Sequence, residues 1–301
     1  MPGRIDQESL LSSSQRWAQR ALFEYTSSGR DDSDDKMLPF CSISWEHLCK
    51  AYLYSLDPAL IFDPKRGRLF TIGLGEAQKR ICRRREQPPT DDRRRKLEAL
   101  ADVRNGVLHA AVLDVVDQRA LLVEYLGASE ELYNERLDDG RGIPGRWGEY
   151  SSLVSALIAE PSNLAKEQVE IKKLIAARRR GEIIGTGTSS PEGDYDLIVG
   201  DLIVNRINNN FSLFARPAEM LIHGYCPVCN ENDVGGYSGT ITRKRGEPER
   251  ALLRVSEFIC AVCELHLSTT EEMEIAGVSP MLDLSVRPNG WAIRGQPPTD
   301  N

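Results

Sequence analysis

The chain has 301 residues, 41% of them hydrophobic and 28% charged, with a formal net charge of −7. That composition excludes a disordered chain, and no apolar run reaches the roughly 20 residues of a membrane-spanning helix. The acidic balance excludes a protein that coats nucleic acid indiscriminately, because phosphate attraction drives such binding.

The opening MPGRIDQESLLSSSQRW lacks the apolar core of a secretion signal, so the expected location is cytoplasmic. Residues 7–26 place Leu10, Leu11, Trp17, Ala21 and Phe23 near helical spacing. GRDDSDDK, residues 29–36, reads as an exposed acidic loop. Residues 42–56 form an amphipathic helix, with Ser42 or Ser44 as its cap and Asp57-Pro58 as its stop. An extended piece, GRLFTI, leads to a helix at 74–85, which QPPT at 87–90 breaks.

Residues 91–116 are the longest helical candidate. Thr90 or Asp91 can cap it, and Leu97, Leu100, Ala101, Leu108, Ala111 and Val115 recur at three and four. A helix over 118–137 follows. DDGRGIPGRWG, residues 138–148, is turn chemistry, and residues 149–180 read as one further helix ending in ARRRG. GTGTSSPEGD at 185–194 reads as a linker, and DLIVGDLIV suggests short β or buried segments. From Tyr225 onward the pattern is of short strands and turns around cysteines.

The stretch RNGVLH, residues 104–109, interrupts an apolar helix with polar groups. Asn105 and His109 stand four apart and stack on one face. Arg104 lies between Leu100 and Leu108 and can reach round toward His109. Gly106 costs the helix about 1 kcal/mol relative to alanine. The plain alternative is a buried arginine paired with Glu46 or Asp102, beside a histidine satisfied in the core.

The order of three segments bears on that choice. WEHLCKAYLYSLDPALIFD, then FTIGLGEAQKRI, then R-N-x-x-x-H on the last long helix, resembles the HEPN superfamily (higher eukaryotes and prokaryotes nucleotide-binding), over roughly residues 7–137. The resemblance implies a helical bundle that dimerises across the helix bearing the motif and forms one composite site. Many members are metal-independent endoribonucleases, and others only bind nucleotides or partners. On the catalytic reading His109 is the general acid/base, Arg104 the phosphate clamp and Asn105 the positioner, with no cofactor for catalysis. The substrate would be RNA, with tRNA and mRNA as candidates. The family context would be a toxin or anti-phage effector, with an antitoxin or other regulatory partner. Position 112 is valine where antitoxin-controlled members often carry tyrosine, which argues against control by AMP transfer there.

The seven cysteines include two C-x-x-C pairs, Cys226/Cys229 and Cys260/Cys263, with 30 residues between them. Four thiolates at that spacing supply the sulfur tetrahedron that zinc prefers, and four protein ligands make a closed, structural site. Redox pairs or a disulfide framework are the alternatives. His223 and His266 flank the knuckles and are surplus to four sulfurs. Arg243, Lys244 and Arg245 fall at the expected hairpin tip, where they could meet RNA. The sequence contains no P-loop, no H-E-x-x-H and no G-x-S-x-G.

The expected architecture is mainly α. A HEPN-like bundle occupies 1–137, a helical extension and linker 138–215, and a small C-terminal β zinc ribbon 216–301. The competing functions are a non-catalytic HEPN module that binds nucleotide or a partner, and a zinc-ribbon accessory factor for nucleic acid.

Overall fold

In a computed structural model of the chain, the described residues are 5–27, 34–65, 67–85, 89–104, 115–137, 142–185, 222–244, 246–247, 249–260, 262–287 and 290–293. The chain is mainly helical, with an antiparallel sheet toward its C-terminal end. It divides into two compact units, residues 1–162 and 163–301.

The first unit is organised by one apolar helix. Helix α2 (Asp34–Leu56) packs against α1 (Gln7–Ser27), α3 (Leu74–Cys82), α4 (Asp91–Arg104) and α5 (Val115–Leu132). Cys41, Leu48, Cys49, Tyr52 and Leu53 of α2 are buried, as are Ala21 and Leu22 of α1 and Leu122 and Leu126 of α5. Each buried leucine contributes about 2 kcal/mol of transfer free energy. One polar knot ties three helices. The Ser44 hydroxyl lies 2.7 Å from the Ser14 carbonyl and 2.6 Å from the Tyr125 hydroxyl. Burial pushes the Tyr125 phenol well above its ordinary pKa, so it stays protonated as a donor. A short ribbon of β1 (Phe62–Asp63) and β2 (Gly67–Thr71) connects α2 to α3.

Several boundaries differ from the sequence reading. Helix α2 starts at Asp34, inside the expected acidic loop. Met37 and Leu38 are buried there, so the apolar face begins ahead of Ser42. Residues 115 and 116 belong to α5 rather than to the helix before it, and α4 is described only as far as Arg104.

The glycine-rich stretch after 138 is not all turn: α6 (Gly142–Trp147) is helical. Its reason is a buried anchor. The Trp147 indole N–H donates to Glu130 at 2.6 Å, and the Arg146 guanidinium meets the other oxygen of Glu130 at 2.8 Å. Helix α7 (Ser151–Ala159) follows. The single helix expected over 149–180 is broken at Glu160, before Pro161. Asn163 then caps a new helix, α8 (Leu164–Gly185), by accepting the Lys166 N–H at 3.0 Å. Where the sequence reading set an extension over 138–215, α6 and α7 belong to the first unit and α8 to the second.

The second unit is a sheet with strand order β3-β4-β5-β7-β8, and with β6 pairing beside β5. Its strands are β3 (Ile222–Cys226), β4 (Glu231–Arg243), β5 (Arg250–Cys260), β6 (His266–Leu267), β7 (Met281–Arg287) and β8 (Gly290–Ile293), all antiparallel to their neighbours. Ala251, Leu253 and Val255 alternate inward along β5. They share a core with Val169 and Ala176 of α8 and with Met273 and Ala276 of a helix between β6 and β7. That helix, α9 (Thr270–Ala276), was not expected. Its signals are nevertheless in the sequence. The Thr269 hydroxyl accepts the Glu272 N–H at 3.1 Å, Glu272 reaches back to the Ser268 N–H at 2.8 Å, and Gly277 closes the helix at φ 79°.

Candidate metal centre

The four paired cysteines converge. Cys226 ends β3, and Cys229 closes the turn before β4. Cys260 ends β5, and Cys263 stands in the turn before β6. All four are buried, and their sulfurs lie within 4.8 Å of one another. Across the two knuckles, Cys226 Sγ is 3.7 Å from Cys263 Sγ, and Cys229 Sγ is 3.6 Å from Cys260 Sγ. A metal at the usual ~2.3 Å zinc–sulfur distance has tetrahedral edges of about 3.8 Å. The sulfurs therefore already stand close to the spacing of a tetrahedral ion, and too far apart for the ~2.05 Å of a disulfide.

The two knuckles are built alike. In each, the N–H of the second cysteine points at the sulfur of the first: Cys229 to Cys226 at 3.4 Å, and Cys263 to Cys260 at 3.5 Å. In each, the following residue is left-handed and donates its N–H to the carbonyl of the first cysteine. Asn230 has φ 57° and bonds Cys226 at 2.9 Å; Glu264 has φ 59° and bonds Cys260 at 3.0 Å. The Cys229 and Cys263 N–H groups aim positive charge at the sulfurs and favour thiolate. Hydrogen bonds from Cys229, Cys260 and Cys263 hold the Cys226 thiol far below its ordinary range. The same pairing with Cys226 pushes Cys229 up.

A packed wall surrounds the sulfurs. Tyr237 and Phe258 meet edge to face at 5.1 Å, and the Tyr237 hydroxyl donates to the Tyr225 carbonyl at 3.0 Å. Burial pushes the Tyr237 phenol up to about 12. Gly235 must be glycine, because a Cβ there would lie 2.6 Å from the Phe258 ring. Helix α8 reaches the second knuckle through Arg179, whose guanidinium is 2.7 Å from Glu264.

Among the other residues singled out in the sequence, His266 is exposed and paired with Glu257 at 2.6 Å. His223 lies in β3, and its side chain lies outside the described residues. Arg243 ends β4 and is exposed, while Lys244 bonds Asp283 at 3.3 Å beside Arg250. Arg245 lies outside the described residues, as do Asn105 and His109. Arg104 is the last residue of α4, and its side chain is not among those described. Glu46, weighed as a partner for that arginine, is buried and bonded to Lys50, whose ammonium also donates to Thr71 at 2.9 Å.

The sequence reading missed Asn230, Glu264 and Arg179. Asparagine tolerates the left-handed region, so its place directly after a knuckle was a usable signal. Glutamate at the equivalent place gave none. No helix among the described residues is long and apolar enough to cross a membrane. No protein-family model, curated protein or solved structure matches the chain.

Proposed function

We propose that the C-terminal unit is a zinc-tied ribbon that docks RNA or a protein partner, and that the helical unit is a HEPN-type, metal-independent endoribonuclease acting as a homodimer. The observation that carries the first half is the sulfur tetrahedron. Cys226, Cys229, Cys260 and Cys263 would hold the ion, and all-sulfur donors favour zinc over hard cations. When bound, zinc supplies structural cross-linking, since four protein ligands leave no position for water. Purified chain should contain a single zinc, released by a thiol-modifying mercurial and detected with a chromogenic chelator. Cys226→Ser should lose it; a zinc-free wild type, or a variant that retains full zinc, would remove this reading.

The ribonuclease half rests on the order of segments. The two upstream sequences that resemble the family lie on α2 and on the β2–α3 step, and R-N-x-x-x-H begins at the end of α4. Helices α3 and α4 both pack against α2, which supports the bundle reading. In the proposed reaction the RNA 2′-hydroxyl attacks the adjacent phosphorus and gives its proton to an imidazole. The new O2′–P bond forms as the P–O5′ bond breaks, and the departing O5′ takes a proton. His109 transfers these protons, Arg104 holds the phosphate oxygens through its planar fork, and Asn105 positions. The products are a 2′,3′-cyclic phosphate and a 5′-hydroxyl.

The test is incubation of wild type and His109→Ala with total RNA and a defined tRNA, with EDTA present, followed by end-group analysis. The expected result is cleavage by wild type with cyclic phosphate ends, reduced at least about 100-fold in the variant. Equal cleavage by both would assign the activity elsewhere. Absence of cleavage by both would favour the non-catalytic binding module.

A further inference from the structure

The first unit holds a cavity of about 490 Å³ between α2, α3, α4 and α5. That is the size of a small-molecule pocket. Its floor is apolar: Trp45 and Cys49 from α2, Leu97 from α4, and Leu132 from α5. Its rim is cationic. Among the described residues, five basic side chains line it, against a single carboxylate, Glu98.

The five are not equivalent. Arg85 is bonded to Glu131 and Glu135, and Arg93 to Glu124 and Glu131. These two are neutralised from behind and fixed in place. Arg94 leans on Asp91 at 3.1 Å. Lys79 and Arg83 remain, four residues apart on one face at the end of α3. Neither side chain has a hydrogen bond or ion pair among the described residues. The geometry of α3 against α4 is set independently, by the Gln78 amide donating to the Leu97 carbonyl at 2.9 Å.

We propose that this cavity binds a small organic anion, with an aromatic or branched apolar body on the floor and a carboxylate or phosphate against Lys79 and Arg83. An inorganic anion alone would leave the floor unfilled, and a neutral apolar molecule would leave the two cations unanswered. Arg85 and Arg93, already neutralised by their glutamates, add a fixed wall rather than net charge. The site is built from residues of the first unit alone and does not depend on the ribonuclease reading.

The test uses the full chain with 2-naphthoate as the probe, read by calorimetry, with 2-naphthol as the uncharged comparator and inorganic phosphate as competitor. Two variants accompany it: Lys79→Glu/Arg83→Glu, in which both positions are exposed and the fold should survive, and Arg84→Glu, an exposed cation outside the cavity wall. The expected result is one saturable site, weakened about tenfold or more in the double variant and for 2-naphthol, and unchanged in Arg84→Glu. Cys82 lines the cavity and is half-buried, so bound naphthoate should also slow its alkylation by iodoacetamide in peptide-resolved mass spectrometry. No saturable binding at millimolar naphthoate would overturn the proposal. Equal binding by the double variant, or displacement by phosphate alone at similar concentration, would overturn it as well.

Discussion

Asn230 and Glu264 show how much of a metal knuckle is backbone. Each must be left-handed so that its N–H can close on the first cysteine's carbonyl while the second cysteine turns inward. A β-branched side chain resists that conformation by about 1–2 kcal/mol. Asn230→Val should therefore lower the melting midpoint of the zinc-loaded chain. Asn230→Gly should lie within about 1 kcal/mol of wild type, because relief of strain offsets loss of the 2.6 Å bond from the Tyr225 hydroxyl. A valine variant as stable as wild type would mean that the turn does not need the left-handed residue. Glutamate is a poor choice at position 264 on propensity alone. Arg179 explains its presence better than the turn does, because the pair fastens α8 to the knuckle.

At the level of elements, the β4–β5 pair carries the sheet. Its register slips between Ser238 and Gly239, where a bulge brings the strands close. A Cβ on Gly239 would lie 2.0 Å from the Arg254 carbonyl oxygen, a contact that only backbone displacement can relieve. Gly239→Ala should cost at least about 2 kcal/mol and lower zinc retention under chelator challenge; unchanged zinc retention would show that the bulge is not required. The elements differ in how readable they were. Helices α1 and α4 announced themselves by apolar periodicity, and the two knuckles by cysteine spacing. The longer start of α2 did not, because Asp, Lys and Pro beside Met37 look like loop while Met37 and Leu38 face the core. Helix α6 was hidden for a similar reason. Its composition is that of a turn, and only the distant Glu130, buried against Arg146 and Trp147, makes a helix of it. Tertiary pairing of this kind leaves no local trace. The cysteine cluster was legible because cysteines are rare and here locally paired, whereas the cationic cavity draws on four separate elements and no linear pattern announces it.

For the molecule as a whole, the two units should respond to metal removal differently. The first has its own core around α2 and no cluster of metal ligands among its described residues. The second includes its four cysteines in its core. Stripping zinc should unfold the second unit and leave the first protected. Hydrogen–deuterium exchange with and without chelator would read this directly, with protection lost over α8 and β3–β8 and retained over α1–α5. Loss of protection across the whole chain would show the units to be one cooperative structure.

Helix α8 gives this dependence a reach beyond the sheet. Val169 and Ala176 lie in the same core as the four cysteines, while Lys172 and Arg179 are tied to Glu272 and Glu264. On the proposed zinc reading, a chain made when zinc is scarce would have no seat for this helix, and the apolar stripe on α8 would face water. Surface of that kind is what chaperones and proteases sort by, so the number of intact copies in a cell would follow its zinc supply, without any dedicated sensor.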